Sequence, residues 1–259
     1  MPVSAPSTPA IVFLHGIGGA ARVWDGQLKS FAAAGFAPVA LDLLGYGGRA
    51  PVHDLDFDQL AADVEAQIAQ RGLDRPVLVG HSMGGMIVQT AVRRRPDGYS
   101  AVVLACTSPA FGNADGDFQK KFVADRLGPL DVGKTMADLA PSLVDRMAAP
   151  GMAADARAHA IDVMSAVPAD TYRAAVRCLV RFDERAGLAK ISMPALCLAC
   201  EKDPNAPAPM VERMASKIPG AAYVCLPGLG HLPNLEAPAA FDAAIVAFLR
   251  DRGLAPVQS

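Results

Sequence analysis

The sequence predicts an α/β protein in which a mostly parallel sheet of about six strands is covered by helices. Six short apolar runs, each bounded by Gly, Pro or polar residues, have the character of strands that are buried on both faces. Helical patterns separate most of these runs, which favours parallel strands joined by crossover helices. The six predicted strands are residues 10–14, 36–41, 76–80, 101–106, 194–200 and 221–226.

Amphipathic repeats identify the helices that would pack on this sheet. Leu60, Val64 and Ile68 recur at every fourth position between the second and third predicted strands. Phe241 and Ile245 begin a similar repeat near the C-terminus. Such spacing places the apolar side chains on one helical face, which can then bury itself against the sheet.

The interval 112–190 contains no convincing strand. It is too long for an ordinary connection and too regularly patterned for a disordered loop. We therefore predict a helical cap over residues 112–190, inserted between the fourth and fifth strands of a core formed by residues 1–111 and 191–259. Its acidic and basic residues balance, so its net charge does not indicate a strongly charged substrate. The predicted cap helices lie near 117–127, 132–148, 153–166 and 169–182.

Composition excludes several classes of protein. The 259 residues are 52% apolar and 19% charged, which rules out general disorder. The 24 basic and 26 acidic side chains show no basic excess, so no nucleic-acid partner is expected. No apolar run approaches the roughly 18 residues needed to span a membrane. Residues 1–9 lack the basic start and apolar run of a secretory signal, which predicts a cytoplasmic location.

The five cysteines form no evident disulfide framework for a chain of this length. Cys197 and Cys200 have the CxxC spacing of redox and zinc sites, but they lie within a predicted strand. Residues three apart on a strand point to opposite faces, so we interpret both thiols as packing residues and predict no metal site.

A nucleophile motif lies where the third predicted strand ends. The strand runs into Gly80-His81-Ser82-Met83-Gly84, and a helical pattern follows. A strand, a Gly-x-Ser-x-Gly turn and a helix together form the nucleophile elbow, in which the serine hydroxyl projects from a sharp turn. The sequence therefore predicts Ser82 as a nucleophile.

A serine hydroxyl needs a general base, and the base needs an acid that orients it. Three of the five histidines precede or adjoin the serine and a fourth lies in the predicted cap, which leaves His231. It follows the last predicted strand in a Gly-rich loop. The acid is expected after the fifth strand, where both Glu201 and Asp203 are available.

Backbone N–H groups are the expected stabilisers of a developing oxyanion. One is on Met83, which follows the nucleophile. The second is expected in the loop 15–19, where Ile17 is our choice and Gly18 an alternative. Neither this loop nor the rest of the chain contains a complete dinucleotide or P-loop fingerprint, so no cofactor is predicted.

These motifs together resemble the α/β-hydrolase fold family, in its branch of serine esterases, enol-lactonases and C–C hydrolases. The resemblance implies a three-layer fold with Ser82 as nucleophile, Asp203 as orienting acid, His231 as base and a cap that shapes the pocket. The matching segments are 15–19 with Trp24, 41–47, 80–85, 201–203 and 230–231.

Two departures from the family pattern accompany the resemblance. The strand hairpin that usually opens the fold is predicted to be absent or shortened, because nine residues precede the first strand. Leu44 also stands where the turn after the second strand often carries Arg. Related haloalkane dehalogenases and epoxide hydrolases carry Asp at the elbow, so Ser82 argues against both activities.

The leading hypothesis is a serine hydrolase of carboxylic esters or lactones that works through a Ser-His-Asp triad and an acyl-enzyme. One alternative is a 3-oxoadipate enol-lactonase-like or C–C bond hydrolase of aromatic degradation. The enol-lactonase version needs an Arg in its pocket, for which Arg126, Arg146 and Arg177 are candidates. Another alternative is a ligand-binding protein without catalysis. The sequence does not indicate an oligomeric state. The predicted cap also carries apolar residues that either line an apolar substrate pocket or pack between the cap helices. They are Leu127, Leu130, Met136, Leu143, Met147 and Met164.

Overall fold

The computed structural model describes residues 10–113 and 115–256. Within these residues a six-stranded parallel sheet has the order β2-β1-β3-β4-β5-β6. The predicted α/β fold with about six parallel strands is confirmed. The strands are β1 (Ala10–Leu14), β2 (Ala37–Leu41), β3 (Val77–His81), β4 (Ala101–Ala105), β5 (Ala195–Cys200) and β6 (Ala222–Leu226).

Helices cover the sheet and connect its strands. Two short 3₁₀ turns, Ala21–Trp24 and Leu188–Lys190, accompany them. The α-helices outside the predicted cap are α1 (Asp25–Ala33), α2 (Phe57–Gln70), α3 (Met83–Arg94), α8 (Ala208–Ala215), α9 (Pro233–Glu236) and α10 (Pro238–Asp251).

The sheet separates two apolar cores because side chains alternate along each strand. Val77 and Val79 belong to the core that α1 and α10 cover, whereas Leu78 belongs to the opposite core with α2 and α3. The two cysteines of β5 follow the same rule. Cys197 lies in the Leu78 core and Cys200 in the other, as their spacing on a strand predicts.

Four helices lie between β4 and β5, in the interval predicted to form the cap. The chain leaves and rejoins the sheet at one place, where the Phe111 N–H donates to the Phe182 carbonyl (2.9 Å) and the Glu184 N–H to the Pro109 carbonyl (2.8 Å). The helices are α4 (Asp117–Asp131), α5 (Met136–Met147), α6 (Ala154–Ser165) and α7 (Ala169–Leu179).

The second of these helices begins later than the predicted residue 132. Its start is fixed by Thr135, whose side chain accepts from the Asp138 N–H while Asp138 accepts from the Thr135 N–H. This capping box satisfies two free donors at the helix start. Gly133, with a φ of 88°, separates it from the preceding helix.

Two predictions fall on residues that the structure does not describe. The absence of a secretory signal and the shortened opening hairpin both concern residues 1–9, which lie outside the described residues. Among the helices of the described chain, none is long and apolar enough to cross a membrane.

Candidate active site

Ser82 occupies a strained turn between β3 and α3. Its φ of 55° and ψ of −118° place it in a region that L-residues rarely adopt. The flanking glycines permit this turn. A Cβ on Gly80 would lie 2.6 Å from the backbone of Gly85, and one on Gly84 would lie 2.8 Å from the carbonyl oxygen of His15. The elbow therefore depends on backbone approaches that only glycine allows.

The main chain of Ser82 is also fixed on both sides. Its N–H donates to the Ala105 carbonyl (2.9 Å), and its own carbonyl accepts from the Thr107 hydroxyl (2.7 Å). The position of the Ser82 side chain is therefore set by its backbone.

His231 lies in the loop between β6 and α9 and contacts both predicted partners. Its Nε2 is 3.0 Å from Ser82 Oγ, and its Nδ1 is 2.7 Å from Asp203 Oδ2. The second carboxylate oxygen, Oδ1, accepts the N–H groups of Asn205 (2.8 Å) and Ala206 (3.0 Å). Three side chains from distant parts of the sequence thus form one hydrogen-bonded series.

The Asp203 side chain is fully buried, yet its carboxyl favours the ionised form. Burial acts to raise its pKa, but the His231 ring and the two backbone N–H groups outweigh burial and hold the pKa below its usual range. An ionised carboxylate keeps the proton of His231 on Nδ1. Nε2 is then free to accept the proton of Ser82.

Glu201, the alternative acid, faces another group. Its exposed carboxylate accepts the N–H of Gly228 at 2.6 Å, in the turn that follows β6. The geometry therefore places Asp203, rather than Glu201, against His231.

The proposed oxyanion donors lie beside Ser82. Gly16 packs against Ser82, and its carbonyl accepts from the Gly19 N–H (3.0 Å) and His15 Nδ1 (2.8 Å). Because the peptide is trans, the N–H of Ile17 points away from that fixed carbonyl. Within the described residues, neither the Ile17 N–H nor the Met83 N–H donates a hydrogen bond, so both are free to bind an anion.

Two buried histidines support the site without acting as bases. His81 Nε2 donates to the main-chain carbonyl of His231 at 2.6 Å. Burial, together with the neighbouring His231, lowers the pKa of His81 to about 3. Burial likewise lowers the pKa of His15 to about 4, and its Nε2 accepts the N–H of Leu43 (3.3 Å). Both rings are therefore neutral at neutral pH.

Sequence reasoning missed Glu236, whose carboxylate holds the loop that carries His231. It accepts the N–H groups of Gly230 (2.8 Å), Leu232 (2.9 Å) and Ala149 (3.0 Å). The His231 N–H also donates to the last carbonyl of α5, at 2.8 Å. The loop is thus fastened to the end of α5. The only signal in the sequence is an acidic residue five positions after His231, which is too common to predict this role.

A small cavity of about 50 Å³ opens over Ser82. None of its lining residues is Arg, Lys, Asp or Glu, as far as the described chain extends. Arg126, Arg146 and Arg177, the candidate cations, do not line it. The lining consists of Gly16, Ile17, Gly18, Gly19, Val23, His81, Ser82, Val144, Met147, Ala160, Val163, Met164, His231, Leu232, Asn234 and Leu235.

His81, Cys106 and His231 place possible metal-ligand atoms within 4.8 Å of one another. The two nitrogens of His231 are already engaged by Asp203 and Ser82, and Nε2 of His81 binds a carbonyl. The two histidines therefore serve the hydrogen-bond network around Ser82, and the Cys106 thiol contacts Cys200 Sγ at 3.6 Å.

Comparison with known proteins places this site in a wider context. Residues 11–244 match the model of the "Alpha/beta hydrolase family". The chain is 28% identical to AB hydrolase superfamily protein YisY of Bacillus subtilis (strain 168), over 92% of this chain and 90% of that protein. It is 25% identical to 3-oxoadipate enol-lactonase 2 of Acinetobacter baylyi, over 93% and 89%. A hydrolase structure from Pseudomonas aeruginosa PA01 has a TM-score of 0.85 at 25% identity, covering 95% of this chain and 92% of that one.

Proposed function

Because the chain belongs to the α/β-hydrolase family, we propose that it is a serine hydrolase that cleaves small carboxylic esters or lactones. The observation that carries this proposal is the hydrogen-bonded series from Ser82 Oγ through His231 to the buried carboxylate of Asp203. This arrangement supplies a nucleophile, a base and an acid that fixes the tautomer of the base.

In the proposed reaction His231 Nε2 takes the proton of Ser82 as its Oγ attacks the substrate carbonyl. Asp203 stabilises the resulting imidazolium. The N–H groups of Ile17 and Met83 bind the oxyanion of the tetrahedral intermediate. Each such donor contributes on the order of 10² to 10³ in rate.

Collapse of this intermediate breaks the bond to the leaving oxygen, which receives the proton held by His231. The acyl group then remains on Ser82 as an ester. Water enters, His231 takes one of its protons, and the resulting hydroxide equivalent attacks the acyl carbon. A second collapse releases the carboxylic acid and restores the Ser82 hydroxyl.

We further propose that residues 112–190 act as a cap over the core formed by 1–111 and 191–259. The helices α5 and α6 contribute five side chains to the cavity over Ser82, and α5 is bound to the His231 loop. The cap would therefore shape the substrate pocket and help to place the base.

The alternative activities gain less support. An enol-lactonase that acts on a charged small acid needs a cation in its pocket, but the lining of the described cavity contains neither Arg nor Lys. A ligand-binding protein without catalysis has no need for a serine, an imidazole and an ionised carboxylate in hydrogen-bond contact. An uncharged ester or lactone is the substrate class that fits best.

Hydrolysis of 4-nitrophenyl esters from acetate to hexanoate tests this proposal. Ser82→Ala should lower kcat on the order of 10⁵- to 10⁶-fold, because the nucleophile is removed. Ser142→Ala, at an exposed serine of α5, is the matched control and should keep full activity. If the wild-type protein turns over no ester, lactone or thioester, the hydrolase proposal is wrong and the ligand-binding alternative is favoured.

A fluorophosphonate probe supplies an independent readout. The probe forms a covalent bond only with an activated serine, so peptide mass spectrometry should find it on Ser82. Labelling of another serine, or none, would contradict the proposed nucleophile.

A further inference from the structure

The cavity over Ser82 is small. Its volume of about 50 Å³ is less than a fifth of the volume of a neighbouring pocket, which measures about 270 Å³. A space of this size favours a short acyl group, such as acetyl or propionyl, over a hexanoyl chain.

Met164 of α6 limits the cavity on the side of the proposed oxyanion loop. Met164 is buried, and the tip of its side chain lies directly over Gly18. A Cβ added to Gly18 would collide with the Met164 Cε and lie 3.3 Å from its Cγ. The thioether thus covers the backbone next to Ile17.

A second, larger pocket of about 270 Å³ lies next to the cavity. Gly19 and Val163 line both spaces. Their chain neighbours, Gly18 and Met164, are the two residues in tight contact. The Met164 side chain therefore lies near the boundary between the two spaces.

The leaving group and the acyl chain of a substrate must lie on different sides of the cavity. The alcohol leaving group must lie beside His231, because this ring gives it a proton. The His231 loop is bound to α5, whereas Met164 of α6 contacts the oxyanion loop. The acyl chain extends away from the leaving group, and hence toward Met164.

We propose that Met164 is a specificity-determining residue that closes the acyl site, so that the substrates are esters of short, uncharged acids such as acetate and propionate. This inference rests on the proposed function of the same site. Truncation of Met164 joins the cavity to the neighbouring pocket and admits longer acyl chains.

The test compares kcat/KM for 4-nitrophenyl acetate, butyrate, hexanoate and octanoate. The wild-type protein should prefer acetate to hexanoate at least tenfold. Met164→Ala should raise the hexanoate-to-acetate ratio at least tenfold. Met164→Leu, which nearly conserves volume, should leave the ratio within about threefold of wild type.

Met136→Ala is the matched control. Met136 is a buried methionine of α5 that does not line the cavity, so its loss should lower stability without moving the ratio. Ala166→Phe, added to Met164→Ala, refills the neighbouring pocket and should return the ratio toward the wild-type value.

The outcomes separate the two proposals. A wild-type protein that prefers hexanoate, or a folded Met164→Ala variant with an unchanged ratio, overturns the role of Met164 and leaves the hydrolase proposal intact. Absence of turnover of every ester overturns the hydrolase proposal itself. If Met164→Ala does not fold, Met164→Val removes less volume, and an unchanged ratio in that variant overturns the inference equally.

Discussion

Replacement of Asp203 by Asn tests the proposed acid through the orientation of a single amide. In the wild-type protein Asp203 Oδ1 accepts the N–H groups of Asn205 and Ala206, and Oδ2 accepts Nδ1–H of His231. In Asp203→Asn the amide oxygen must stay with the two backbone donors. The amide NH₂ therefore faces His231 Nδ1 and can only donate to it.

The consequence falls on the tautomer of His231. With Nδ1 now an acceptor, the ring proton moves to Nε2, which can no longer take the proton of Ser82. We expect kcat to fall about 10⁴-fold, the cost of the wrong tautomer in a Ser-His-Asp site. KM should change little, because Asp203 does not line the cavity over Ser82. Ester hydrolysis at neutral pH measures both constants.

Glu201→Gln is the control for this prediction, since Glu201 was the alternative acid and its carboxylate accepts the Gly228 N–H instead. It should keep kcat within about threefold. Full activity of Asp203→Asn, with loss of activity in Glu201→Gln, would show that the acid is misassigned. Equal loss in both variants would refute the argument from amide orientation.

Three further predictions concern the frame of the site. In Glu236→Gln the side chain can accept fewer of the three N–H groups that Glu236 binds. We expect a loss of about 1 kcal/mol in stability and a fall of about tenfold in kcat, with KM nearly unchanged. An unchanged kcat would contradict this prediction. Gly80→Ala should lower the free energy of unfolding, measured by urea denaturation, by about 1 to 3 kcal/mol, because the added Cβ meets backbone atoms. Gly26→Ala is the control: a Cβ at that position meets no atom within 4 Å, so the free energy of unfolding should not fall. Stability should also fall below pH 6.5. His15 and His81 have lowered pKa values of about 4 and about 3, so the unfolded chain binds protons there that the folded chain does not. Each histidine lowers the free energy of unfolding by up to about 1.4 kcal/mol per pH unit between pH 6.5 and its pKa in the folded protein. A free energy of unfolding that stays constant from pH 7 to 5 would exclude this effect.

The strands could be predicted because burial on both faces leaves a local record in the sequence. The run at residues 76–80 is apolar, and β3 lies within one residue of it. The predicted start of α5 is too early because an apolar pattern does not show where a helix begins. Thr135 and Asp138 decide that point through hydrogen bonds that periodicity does not report.

The residues of the candidate site also differ in whether the sequence alone could predict them. Ser82 could be placed because strand, turn and helix are contiguous in sequence. Glu236 could not, since it acts on a backbone N–H 87 residues earlier, at Ala149. The contact of Met164 with Gly18 also joins distant segments. In both cases the decisive partner is chosen by tertiary packing, which one sequence does not display.

The main chain around Ser82 separates two properties of the site that are usually described together. The direction in which residue 82 projects is set by the Ala105 carbonyl, the Thr107 hydroxyl and close contacts at the flanking glycines. None of these contacts depends on the side chain at position 82. A carboxylate or a thiol at this position would be presented from the same point. Substitution of this one residue would therefore change the attacking atom while the turn keeps its shape. Proteins that share this fold can thus differ in the type of reaction they carry out.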